Sequence, residues 1–147
     1  MTDIALKTVD DVVVVGLRHA WEDGWNRGDV AAIMRPFAAD VVFSSPFVPK
    51  LAGDPATTAI VGSDALQAYV AASLARAPGI RYTVNATYVG TDSIILVYTV
   101  HRPDGTDKTG ADSLRLDGAG EVVEWRCHYA ADFLSPDVRY AIDEGAP

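Results

Sequence analysis

The sequence predicts an α+β fold in which helices pack on one face of a curved antiparallel sheet. Three observations carry this reading. Apolar residues recur at helical spacing in VVVVGLRHAWEDGWN (12–26) and DALQAYVAASLARA (64–77). The second half instead holds short strand-like runs: RYTVNATYV (81–89), SIILVYTVHR (93–102), ADSLRL (111–116) and EVVEWRCHYAADF (121–133). Between those runs lie GTD, PDGTDK and DGAG, each a hairpin signal. No shift in composition divides the chain. Residues 1–147 therefore read as one domain, with 132–147 as a C-terminal extension, either a peripheral cover or a partly mobile tail.

The elements follow in order. Thr8 is placed to cap the first helix, with Asp10 and Asp11 at its positive end and Val13, Leu17, Trp21 and Trp25 on one face. NRGD ends it, and Asp29 can cap a short second helix whose Ile33 and Phe37 share a face before Pro36 stops it. VVFSSPF (41–47) reads as a strand closed by Pro46. The connection VPKLAGDPATTAIVG (48–62) is long enough to be a functional loop or lid. Ser63 then caps a third helix, with Leu66, Tyr69, Val70 and Leu74 on one side and Pro78-Gly79 at its end.

Charge narrows the function. Twelve basic against twenty acidic residues give a net charge of −8, which repels nucleic acid and anionic lipid. The apolar run VVVVGL (12–17) is too short to span a bilayer. Cys127 is the only cysteine, so no intrachain disulfide forms and a cytoplasmic, reducing compartment is expected. His19, His101 and His128 match no metal spacing, and neither a phosphate loop nor a nucleophile elbow is present, so no cofactor or metal is expected.

One residue breaks the apolar pattern. Alternation in ADSLRL puts Asp112 on the same face as Leu114 and Leu116. A two-residue turn at Asp104-Gly105 pairs Val97 with Asp112, Thr99 with Gly110 and His101 with Lys108; a turn at DGAG pairs Asp112 with Trp125. In this register Asp112 lies between Val97 and Trp125 on the face that meets the helices. Lost hydration there raises its pKa, and a protonated Asp112 can donate a hydrogen bond to a developing oxyanion. Alternatively, it accepts a bond from a buried hydroxyl such as Thr99 or a tyrosine, or from water. Trp125, Cys127 and Tyr129 face inward on the last strand. Arg115, Glu124, Arg126 and His128 face outward, on a surface suited to solvent or to a homodimer.

WNRGD, FAADVVFSSP, GSDALQAYV and DSLRLDGAGEVVEWR, in this order over about residues 9–130, resemble the nuclear transport factor 2-like superfamily. The likeness is greatest to its SnoaL-like and ketosteroid-isomerase-like members. It implies a cone-shaped, cystatin-like barrel: a curved sheet around long helices, with a blind apolar pocket. It assigns Asp112 the place of the isomerases' protonated oxyanion aspartate. Trp21 stands where those enzymes carry a tyrosine and Ser45 where they carry the general base, so their mechanism does not transfer whole. The inner arginine of limonene epoxide hydrolases has no counterpart, because Arg115 and Arg126 fall outward.

The sequence therefore predicts a pocket lined by Trp21, Trp25, Phe43, Ser45 and Tyr69 from the first half of the chain. Val97, Thr99, Trp125, Cys127 and Tyr129 complete it from the strands. Asp112 is the candidate donor and His101 the candidate base, with a tyrosine or water as the alternative proton path. The expected activity is acid–base isomerisation, cyclisation or elimination on a hydrophobic cyclic small molecule, polyketide- or steroid-like. The alternative is a binding or accessory protein that holds such a ligand without turnover.

Overall fold

The computed structural model describes residues 3–134. The chain runs α1 (Asp11–Arg27), α2 (Val30–Met34), β1 (Phe37–Ser44), α3 (Val48–Ala52), β2 (Ala59–Val61) and α4 (Ser63–Arg76). The meander β3 (Arg81–Val89), β4 (Ser93–His101), β5 (Asp107–Leu116) and β6 (Val122–Tyr129) follows, then α5 (Ala131–Leu134). The six strands form one open sheet in the order β2-β1-β6-β5-β4-β3. Its pairs are antiparallel except β1 with β6, which run parallel because β1 enters from the helices and not through a hairpin. The remainder of the proposed C-terminal extension, residues 135–147, lies outside the described residues.

Several element boundaries differ from the sequence expectation. Asp10, not Thr8, caps α1: its carboxylate accepts the Val12 N–H at 2.9 Å. Ser63 is already helical and Gly62 holds the cap position of α4. Asp29 caps α2 as expected, accepting from Ala32 N–H at 3.1 Å. Phe37 opens β1 and does not extend α2, and the long 48–62 connection contains α3 and β2.

The β4–β5 hairpin departs by one residue, and that departure moves the site. Pro103-Asp104-Gly105 forms a three-residue loop, with Gly105 at φ 87° and the Arg102 and Gly105 N–H groups bonded to Thr106 and Arg102 carbonyls. Leu96, not Val97, therefore faces Asp112, while Tyr98 pairs with Gly110 and His101 with Asp107. A slip of one residue exchanges the faces of a strand. Leu96, Tyr98 and Val100 are buried inside, and Val97, Thr99 and His101 face outward. The β5–β6 register moves by two, pairing Asp112 with Cys127 and Leu114 with Trp125, through the loop Gly118–Gly120 and a bulge between Arg115 and Leu116. An even shift keeps the faces, so Trp125 and Cys127 stay inward.

Helix α1 is fixed to the sheet by a polar stripe at i, i+4, i+8. β3 is an edge strand, so its outer backbone groups have no strand partner. Arg18 donates to the Val84 carbonyl at 3.2 Å, Glu22 accepts the Val84 N–H at 2.5 Å, and Asn26 bonds both backbone groups of Tyr82 at 2.7 and 2.9 Å. This satisfies the strand edge and sets the rotation of α1, which turns Trp21 and Trp25 over the sheet. Asn26→Ala leaves the Tyr82 N–H and carbonyl without these partners. A loss of about 1–3 kcal/mol in urea unfolding is expected, with no loss meaning that water replaces the side chain.

Candidate functional site

Asp112 lies near the middle of β5, facing the helices, with 1% of its surface exposed. Three elements converge on its carboxylate. Trp21 of α1 and Trp125 of β6 donate their indole N–H groups to Oδ2 at 3.0 and 2.9 Å. The Tyr98 hydroxyl of β4 lies 2.9 Å from Oδ1. An indole nitrogen only donates, so Oδ2 is fully used as an acceptor and a proton on Asp112 has its place on Oδ1, toward Tyr98. Burial pushes the pKa of Asp112 above the ordinary carboxylate value, against the opposing pull of hydrogen bonds from Trp125, Tyr98, Trp21 and the Cys127 thiol.

The approach of Tyr98 depends on Gly110, its partner across the strands. A Cβ at Gly110 would stand 2.7 Å from both Cζ and the hydroxyl oxygen of Tyr98. Because none is there, the ring crosses β5 closely enough for its hydroxyl to meet Asp112. Trp21 packs against Tyr98 with centroids 4.5 Å apart and edge-on to Tyr82 at 5.4 Å. Phe37 stacks on Trp125 at 5.0 Å, and Phe43 lies 4.5 Å from the same indole.

Trp21, Phe43, Tyr82, Tyr98 and Trp125 bound a cavity of about 420 Å³ between helices and sheet. Of the residues expected to line it, Trp21, Trp25, Phe43, Ser45 and Tyr69 do so, as do Trp125, Cys127 and Tyr129. Asp112 reaches its wall. The Ser45 hydroxyl accepts the Phe47 N–H at 3.2 Å and faces Tyr69 and Tyr129, lowering the pKa of both against burial. Burial still prevails: Tyr69 and Tyr82 are pushed up to about 12, and Tyr98, Tyr129 and the Cys127 thiol also rise. The Trp25 indole N–H is buried without a hydrogen-bond partner among the described residues.

Val97, Thr99 and His101 are not part of this cavity. His101 bonds Thr83 Oγ1 through Nε2 at 2.9 Å and Asp107 Oδ1 through Nδ1 at 3.0 Å, on the outer face of the sheet. Thr99 Oγ1 accepts from Asn85 there at 2.7 Å. Sequence reasoning missed Tyr98 and Tyr82, and with them Lys50, Arg76 and Arg102 at the mouth. The signal for Tyr98 was the glycine closing Pro103-Asp104-Gly105, which marks a three-residue loop and sets the opposite parity. No group of three His, Cys, Asp or Glu among the described residues is placed to hold a metal ion.

Asp112→Asn imitates the protonated acid, its amide oxygen accepting both indoles and its NH₂ facing Tyr98. The folded pKa of Asp112 lies above the unfolded one. Its contribution to stability is therefore full below the unfolded value of about 3.9 and is lost as pH rises through the folded value. Urea unfolding between about pH 4 and pH 8 should show wild type losing stability relative to Asp112→Asn, by up to about 1.4 kcal/mol per pH unit. A constant difference would mean that Asp112 has no raised pKa.

An open curled sheet, helices packed on it and an aromatic cavity between them with one buried carboxylate define a class of small α+β pocket proteins. Residues 18–125 match the SnoaL-like domain, and the chain belongs to that family. The chain resembles a SnoaL-like protein of unknown function from Burkholderia thailandensis, at 25% identity and TM-score 0.73, covering 84% of this chain and 99% of that one. A candidate isomerase of the SnoaL-like family from Agrobacterium tumefaciens is 14% identical, with TM-score 0.64 over 81% of this chain and 98% of that one. A protein with a ketosteroid-isomerase-like fold from Catenulispora acidiphila, in complex with trimethylamine, is 20% identical, with TM-score 0.62 over 78% and 85%. No curated protein matches the chain. No helix among the described residues is long and apolar enough to cross a membrane.

Proposed function

We propose that this protein encloses a flat, hydrophobic cyclic small molecule, polyketide- or steroid-like in shape, and acts on it by acid–base chemistry as an isomerase, cyclase or lyase. The Asp112–Tyr98 pair at the wall of the aromatic cavity is the observation that carries this reading. With Asp112 protonated, Oδ1–H donates to the Tyr98 oxygen, and the Tyr98 hydrogen is free to turn toward a ligand carbonyl. With Asp112 ionised, Tyr98 donates to the carboxylate and has no proton to offer. Burial favours the first state. Tyr98 thus takes the contact that the sequence reading gave to Asp112 itself, and Asp112 becomes the group that orients it. His101 faces away, so a tyrosine or a bound water completes the proton path.

A second reading is favoured by Ser45, a buried serine at the cavity wall that accepts a backbone N–H. A protein with this inner set can hold its ligand without turning it over. Native mass spectrometry of freshly purified protein, then NMR of deuterium uptake beside the carbonyl of the bound compound, separates the two. Turnover predicts uptake that drops about 10²–10³-fold in Tyr98→Phe. Binding without uptake supports the accessory role, and absence of any bound or added ligand removes both.

We also propose a cytoplasmic homodimer joined through the outer face of β4, β5 and β6. Arg115 and Arg126 each lie 3.6 Å from Glu124, and Ile95, in the same row as Ser113 and Arg126, is 40% exposed. Sedimentation should show a dimer that Ile95→Glu converts to monomer. A wild-type monomer at every concentration would remove this interface.

A further inference from the structure

We infer that the ligand of this cavity is an aromatic or polycyclic carboxylate, seated with its ring system inside and its charged end at the mouth. The inference rests on the pocket reading above and adds the ligand's charge. Three cations border the cavity from three separate elements: Lys50 in α3, Arg76 in the last turn of α4, and Arg102 in the β4–β5 hairpin. All three are solvent-exposed, and none has an ion-pair partner among the described residues. The hairpin and the end of α4 come together at the mouth, where a Cβ on Gly79 would stand 3.2 Å from the Pro103 ring. That contact brings the Arg76 and Arg102 segments to the same side.

This concentration of positive charge stands out in a chain of net charge −8. Among the described residues, the acidic groups at the cavity do not cancel it. Asp112 is the one carboxylate among the described lining residues, and it lies buried beneath two indoles and a phenol. Asp104, two residues from Arg102, turns its carboxylate back onto the Thr106 N–H and hydroxyl at 2.9 and 2.6 Å, though Arg102 still lowers its pKa. The remaining polar groups of the described lining are uncharged: phenols, a thiol, serines and the Trp25 indole N–H. Arginine forks match a carboxylate in geometry as well as in sign. Field lines from the three cations run out over a low-dielectric, aromatic-walled cavity, which draws an anion toward the opening and repels a cation.

The test compares three probes of one size: naphthalene-2-carboxylate, naphthalene-2-carboxamide and 2-naphthylmethylammonium, titrated by calorimetry into wild type and into Arg76→Gln/Arg102→Gln. The expected result is a carboxylate preference of about tenfold over the amide at low salt, reduced to within about twofold in the double variant and at ~0.5 M salt. Amide affinity should fall much less than carboxylate affinity in the double variant, because the amide loses no charge–charge attraction. Equal binding of carboxylate and amide, or tighter binding of the ammonium, would overturn the inference and leave the pocket intact. Failure of all three probes to bind would overturn the pocket reading and this inference with it.

Discussion

A carboxylate in an apolar interior costs several kcal/mol unless its oxygens are occupied, and the arrangement of this protein's interior follows from how Asp112 avoids that cost. Its donors come from α1, β4 and β6, elements remote in sequence that converge on this group. The carboxyl therefore acts as a three-way joint between helix and sheet. The same bonds that stabilise it also occupy it: Oδ2 already accepts from two indoles, and Oδ1 faces the Tyr98 hydroxyl. In the acid–base function proposed above, its effect on a ligand passes through Tyr98, whose hydroxyl can reverse its hydrogen bond.

The helix stripe Arg18, Glu22 and Asn26 supports that joint from outside. It binds the exposed backbone of β3 and so fixes the angle at which α1 presents Trp21. Rotating α1 by a fraction of a turn would withdraw one indole from Oδ2 and leave a buried acceptor short of a donor. Edge protection and site geometry are thus two consequences of one set of hydrogen bonds. The cavity exists because the aromatic side chains held by this frame are large and rigid and do not close completely on one another.

The architecture and the family were legible because they depend on coarse features: helical periodicity, hairpin signals and the order of weak motifs. The inward placement of Asp112 was legible too, since Leu114 and Leu116 share its face. The face of β4 was not. SIILVYTV is apolar at nearly every position, so alternation cannot choose between its two sides, and the choice fell to the length of one turn. Reading Asp104-Gly105 as a two-residue turn put Val97, Thr99 and His101 inside and left Tyr98 out. In β6 the register was also displaced, but by two residues, and Trp125 and Cys127 kept their side. Parity errors move a site; even errors only slide it along the strand.

The close passage of Tyr98 over Gly110 carries a genetic consequence. A methyl group at Gly110 and a phenol at position 98 compete for one volume, so the two positions cannot drift independently. A larger residue at 110 presses on the aromatic ring, and a smaller residue at 98 relieves only part of the demand for glycine, because the His128 carbonyl would still stand 3.0 Å from the added Cβ. The triplet Gly-x-Asp on β5, read together with an aromatic hydroxyl across from the glycine, therefore works as a signature of this hydrogen-bonded pair. In this chain, a side chain at that glycine would cost the buried aspartate its phenol partner.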